Sequence, residues 1–115
     1  MAMELLFAGL AVADFPGAVE WYGRVFDREA DVIVTDREVM WRVADAGWLY
    51  VIEDEARAGT GLVTISVSDL AEAVIDLEAR GISSGGIETV GDAGRKAVVT
   101  DPEGNSIAFI EVAVA

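Results

Sequence analysis

Asp101-Pro102-Glu103-Gly104-Asn105, followed without a break by Ser106-Ile107-Ala108-Phe109-Ile110-Glu111-Val112, decides how this chain folds. The first five residues have the chemistry of a tight turn. Pro102 fixes φ, Gly104 admits φ > 0, and the Asp101 and Asn105 side chains are placed to bond nearby backbone amides. The next seven residues are largely apolar and β-forming, so the turn launches a strand.

Upstream, the chain repeats itself. A shift of 55 positions lays Val12, Asp14, Ala18 and Val19 on Val67, Asp69, Ala73 and Val74, with Leu10 on Ile65 and Phe15 on Leu70. Each copy runs from an apolar strand through an Asp to an amphipathic helix, and such internal repetition governs the fold assignment. In the first copy the strand is expected over 5–12. A helix capped near Asp14 follows over 16–26, with Pro16 in its first turn and Val19, Tyr22 and Phe26 on its buried stripe. Strands are expected at 31–35, 38–44 and 48–53, the last two joined by the turn Asp45-Ala46-Gly47. In the second copy a strand at 62–67 leads into a helix capped by Ser68 or Asp69, running through Arg80 and stopped by Gly81. Strands follow at 87–90, 96–100 and 106–112, and Gly91 to Lys96 reads as a polar hairpin turn. The acidic, Gly-containing segment 54–60 is the expected linker.

Composition sets the outer bounds. The 115 residues make one domain with enough apolar content, 53%, for a core. Mean hydropathy is +0.40, against disorder. No apolar run approaches the roughly 18 residues of a membrane span. The N-terminal residues carry Glu4 and no basic side chain, unlike a secretion signal. Cysteine is absent, which excludes disulfides and thiolate metal sites, so a cytoplasmic protein is expected. The formal charge of −13 repels phosphate backbones and argues against nucleic acid as a partner, while it would attract a cationic ligand. Histidine is also absent, and with it any Ser-His triad. No glycine-rich phosphate loop is found, because Gly81, Gly85 and Gly86 lack the strand-to-helix setting.

The closing turn and strand, together with Leu10-Ala11-Val12-Ala13-Asp14 and the pair Trp21-Tyr22, resemble the vicinal oxygen chelate superfamily of glyoxalases, bleomycin-resistance proteins and dioxygenases. The resemblance spans about residues 5–112. It implies an α+β fold of two βαβββ units in tandem, about 4–53 and 61–112, forming a concave mixed sheet around a central cavity with helices outside. It also implies a homodimer, since two-unit chains of that family often complete their clefts across a two-fold axis.

In metal-using members, ligands come from the first and last strands of each unit. By resemblance, the first-strand positions fall on Phe7 and Leu62, and the last-strand position after the signature turn falls on Ala108. The fourth falls on Tyr50, or on Glu53 in a register three residues away. Phe, Leu and Ala cannot coordinate a cation, and a catalytic divalent site needs about three imidazole or carboxylate donors. No metal, cofactor or catalytic residue is therefore expected. Strand alternation from these positions puts Phe7, Gly9 and Ala11, Leu62, Thr64 and Ser66, and Ser106, Ala108 and Ile110 on the cavity side, joined by Trp48, Tyr50 and Ile52 if Tyr50 holds the fourth position. Phe7, Trp41, Trp48, Tyr50, Leu62 and Ala108 are the candidate ligand-binding residues, giving aromatic and small apolar walls suited to a flat ligand. Two functions fit. One is a metal-independent binding protein resembling the bleomycin-resistance branch, holding an aromatic or cationic metabolite or antibiotic. The other is a superfamily lyase, isomerase or dioxygenase with a non-standard or absent metal site.

Overall fold

The computed structural model describes residues 1–113. The chain runs β1 (Leu6–Val12), α1 (Phe15–Phe26), β2 (Val32–Thr35), β3 (Glu38–Ala44), β4 (Gly47–Glu53), then, after a short 3₁₀ turn Glu55–Arg57, β5 (Leu62–Ser66), α2 (Leu70–Ala79), β6 (Glu88–Val90), β7 (Gly94–Thr100) and β8 (Ser106–Val112). These are two βαβββ units joined by a short linker. Each builds its own four-stranded mixed sheet, in the orders β1-β4-β3-β2 and β5-β8-β7-β6. In both, the first and last strands pair in parallel, and the antiparallel hairpins extend the sheet from there.

The repeat extends to the helix caps. Asp14 accepts a hydrogen bond from Gly17 N and Asp69 accepts one from Glu72 N, both at 3.1 Å, and each satisfies an amide that the first helical turn leaves without a partner. Alternate strand residues Leu10, Val12, Val39, Trp41, Leu49 and Val51 pack with Trp21, Tyr22 and Val25 of α1. Ala97, Val99, Ile107 and Phe109 join Leu70 and Leu77 of α2 in the same core. The helices also meet end to end, where Arg80 donates to Arg24 O and Val25 O and Arg24 donates to Arg80 O.

The signature turn joins the two units. Asp101 and Asn105 are buried. Asp101 Oδ1 accepts from the backbone amides of Glu103 and Asn105, both at 2.9 Å. Asn105 accepts from Gly61 N at 2.8 Å, and it donates to Ala11 O and to Asp101 Oδ2, both at 2.9 Å. Glu103 accepts from Ala13 N at 2.7 Å and Asp14 N at 3.1 Å, just before α1. Gly104 sits at φ 110°, the left-handed backbone that the sequence reading assigned to it.

Tyr22 Oη, from α1, completes this network by donating to Asp101 Oδ2 at 2.8 Å. Burial first, then the bond to Asp101 and the negative charge of Asp101 and Glu103, push its hydroxyl far above the ordinary tyrosine range. The unfolded chain therefore releases this proton first. The contribution is fully present below the ordinary value of about 10 and is lost at higher pH, by up to about 1.4 kcal/mol per pH unit. Urea midpoints measured across the alkaline range should fall for the wild type. They should fall less steeply for Tyr22→Phe, and identical slopes would contradict this account.

The expected elements agree with the structure to within a few residues, except at the second hairpin. There β7 begins at Gly94, two residues before the expected strand, so Arg95 joins Lys96 in it and only Gly91 to Ala93 turn. Their charges meet partners across the sheet. Arg95 pairs with Glu111 at 2.9 Å and Lys96 with Glu88 at 3.5 Å. The amide of Leu70, then the Arg95 guanidinium, hold the Glu111 carboxyl below the usual range.

Candidate functional site: the open faces of the two sheets

Each sheet has one face on the helices and one turned away. Strand pairing fixes which residues share the open face. In the first unit they form the rows Phe7–Trp48–Arg42, Gly9–Tyr50–Met40 and Ala11–Ile52–Glu38. In the second the rows are Leu62–Ser106–Thr100, Thr64–Ala108–Val98 and Ser66–Ile110–Lys96. Five of the six candidate binding residues, Phe7, Trp48, Tyr50, Leu62 and Ala108, lie on these faces.

Trp41 does not, and its assignment is corrected. It is fully buried on the helix side of β3 between Tyr22 and Phe26, with ring centroids 6.3 and 5.5 Å away, and its indole N–H donates to Arg28 O at 3.1 Å. Its neighbour Arg42 faces the open side instead. The hairpin register, invisible in the sequence, decides between adjacent residues that alternate faces.

That register also resolves the fourth ligand position. Phe7 pairs with Trp48 and Gly9 with Tyr50, just as Leu62 pairs with Ser106 and Thr64 with Ala108. Superposing the repeat therefore matches Tyr50 to Ala108. Glu53 matches Glu111 and falls on the other face, where it pairs with Arg37 at 3.6 Å. The four positions that the resemblance implies thus fall, in this register, on Phe7, Tyr50, Leu62 and Ala108. Only the Tyr50 phenol carries a donor atom, and among the described residues no cluster of three or more His, Cys, Asp or Glu could hold a cation. These residues do not fit the divalent metal of the metal-using members.

Tyr50 takes its place in the first unit because Gly9 has no side chain. The phenol ring lies across the Gly9 backbone, and a Cβ there would fall well inside van der Waals contact with Cζ, Cε2 and Oη. Gly9→Ala should evict the ring and cost about 1–3 kcal/mol, as overpacking does. Thermal melts check the stability. A near-UV circular dichroism spectrum unchanged from wild type would contradict the placement.

The open faces differ in texture. The first is aromatic: Phe7 and Trp48 stack with centroids 6.3 Å apart and planes 19° apart, and Tyr50 adds a third ring. The second carries Thr64, Ser66, Ser106 and Thr100 among small apolar residues. Three clefts border these faces. One of about 290 Å³ is lined by Gly9, Ala11, Tyr50 and Ile52 with Asp54 and Arg57 at its rim. Another of about 180 Å³ lies beside Thr64, Ala108 and Ile110. The third, about 260 Å³, runs between the units from Trp48 to Thr64 and Ser66. The large apolar groups remain open in the single chain, with Phe7 48% and Leu62 85% exposed.

Acidic residues are scarce on these faces. Among the strand residues only Glu38 and Glu88 share them, Glu38 with Arg42 further along the same strand and Glu88 opposite Lys96. The charge of −13 therefore resides mostly elsewhere.

Two βαβββ units with parallel first and last strands, tied by a buried Asp–Asn turn, define the paired-unit class that the sequence resembles. Residues 4–109 match the family described as the Glyoxalase/Bleomycin resistance protein/Dioxygenase superfamily, and the chain belongs to it. The fold is similar to the crystal structure of a glyoxalase/bleomycin resistance protein from Catenulispora acidiphila DSM 44928, at 33% identity and TM-score 0.89, covering 96% of this chain and all of that one. It is similar, at 18% identity, to a bleomycin-binding protein complexed with bleomycin (TM-score 0.79, 96% and 100% covered). At the same identity it is similar to a lactoylglutathione lyase from Agrobacterium tumefaciens (TM-score 0.76, 96% and 94% covered). Likeness at that level establishes the fold alone, because one fold hosts both binders and enzymes. No curated protein sequence is similar enough to count as a relative. Among the described residues, no helix is long and apolar enough to cross a membrane.

Proposed function

We propose that this chain is a metal-independent binding protein that holds a small, flat aromatic molecule, such as a metabolite or antibiotic, without transforming it. The observation that carries this reading is the occupancy of the four ligand positions by Phe7, Tyr50, Leu62 and Ala108, which replaces a coordination site with an apolar, ring-bearing floor. Trp48 supplies the largest face for stacking, worth about 0.5–1.5 kcal/mol per aromatic contact beyond the area buried. The near balance of charge on the open faces favours the aromatic character of the ligand over a cationic one.

The protein acts as a cytoplasmic homodimer in this reading. The exposure of Phe7 and Leu62 supports it, since side chains of that size on a sheet face gain by being covered. The three clefts at the open faces, each below the roughly 300 Å³ of common ligand pockets, support it too. Sedimentation at micromolar concentration should give the dimer mass; a monomer would contradict this part of the proposal. Binding itself is tested by titrating the protein with β-naphthol by calorimetry. Saturable one-to-one binding per chain with the compound recovered unchanged is expected, and chemical conversion of added substrates dependent on metal would favour the enzyme reading.

A further inference from the structure

The cleft between the units is lined by Trp48 of the aromatic open face and by Thr64 and Ser66 of β5, together with Leu6, Ala8, Leu49, Val63 and Ile65, which alternate with them along the strands. We infer that this cleft is a two-part subsite for a neutral planar aromatic ring bearing a hydroxyl or carbonyl on its edge, the ring lying on Trp48 and the substituent bonding Thr64 and Ser66. The inference rests on the binding reading above and specifies which chemistry the site selects.

Three observations converge on it. First, the hydroxyls of β5 are uncommitted. The side-chain hydroxyls that bond within the chain are those of Tyr22, Thr35, Thr60 and Ser84. Thr64 and Ser66 make no such bond among the described residues. They alternate along one strand, so they point to the same side. A hydroxyl both donates and accepts, so either a phenol or a carbonyl satisfies it. Second, the repeat equates Thr64 with Gly9 and Ser66 with Ala11. The first unit presents its backbone and the Tyr50 ring, whose single hydroxyl lies over Gly9, where the second presents two aliphatic hydroxyls. The first unit is thus mainly a stacking surface and the second mainly a polar one. Third, the charges balance. Glu38 and Arg42 occupy one open face, and Glu88 and Lys96, 3.5 Å apart, the other. The faces carry no net charge to draw in an ion, which fits a neutral molecule.

The test compares β-naphthol with naphthalene on the wild type, on the double variant Thr64→Val/Ser66→Ala and on Trp48→Ala. Thr64 and Ser66 are exposed, and valine matches threonine in shape, so the double variant keeps the fold; its melting curve checks this. The expected result is that the double variant loses about fivefold in affinity for β-naphthol and none for naphthalene. Trp48→Ala should weaken both. Equal loss for the two compounds in the double variant, or no loss for either, overturns the subsite while leaving the binding reading intact. Failure of the wild type to bind either compound up to its solubility limit contradicts the binding reading, and the subsite with it.

Discussion

Asn105→Ala should destabilise the protein by about 3 kcal/mol, lowering the melting temperature by roughly 10 °C or more. The side chain is 1% exposed and makes three hydrogen bonds, to Gly61 N, Ala11 O and Asp101 Oδ2. Truncation strands the Gly61 amide, leaves the Ala11 carbonyl only the 3.4 Å bond from Gly59 N and removes a donor from Asp101, and a buried polar group left without its partner costs about 1–3 kcal/mol. The loss is large because the three partners come from three places: the end of β1, the start of β5 and the turn itself. Without Asn105 the two units lose a joint as well as a turn. Pro102 supplies the contrast, being exposed and without such partners. Pro102→Ala should cost no more than about 1 kcal/mol, the entropic share of a turn proline. Chemical denaturation of both variants checks the pair. Equal losses would mean that the segment matters only for its turn geometry.

The second large effect concerns binding. Trp48→Ala should weaken a planar aromatic ligand about 30-fold, the roughly 2 kcal/mol typical of a central aromatic anchor. Trp48 is half-buried on the open face, stacked on Phe7 and facing the cleft between the units. It contributes nothing to the helix-side core, so the melting temperature should move little. Trp41 is the control. It is the same residue type one sheet face away, fully buried and bonded to Arg28 O, and Trp41→Ala should lose fold and binding together. Calorimetric titration of Trp48→Ala alongside its melt separates the two effects. Unchanged affinity would remove Trp48 from the site.

How far these features were legible in the sequence depends on their range. The closing turn, both helices and their Asp caps could be read because their signals are local: a proline, a glycine, an acid before an amphipathic run. The 55-residue repeat made the second unit readable from the first, and five of the six candidate binding residues fall on the open faces because strand alternation carries from one anchored residue to the next. Trp41 failed where that chain of inference broke. Nothing local to β3 says which of Trp41 and Arg42 faces the helices, since the choice is made by pairing with β4. Tyr50 and Glu53 competed for the fourth position for the same reason, and the Gly9–Tyr50 pairing decided it. The Arg95–Glu111 pair was missed because its members lie 16 residues apart and meet only across the sheet. The mating of Glu103 with the amides before α1, 90 residues away, has no signature in the sequence at all.

On our proposal a ring-lined floor stands in place of a metal site, and titration of β-naphthol into the purified protein, in EDTA and again with added Mn, Ni or Zn, decides between the two. One affinity is expected in every buffer, with the compound bound and released unchanged. Binding that disappears with chelator and returns with one metal would contradict it, and would mean that donors other than Phe7, Tyr50, Leu62 and Ala108 assemble a site in the working protein.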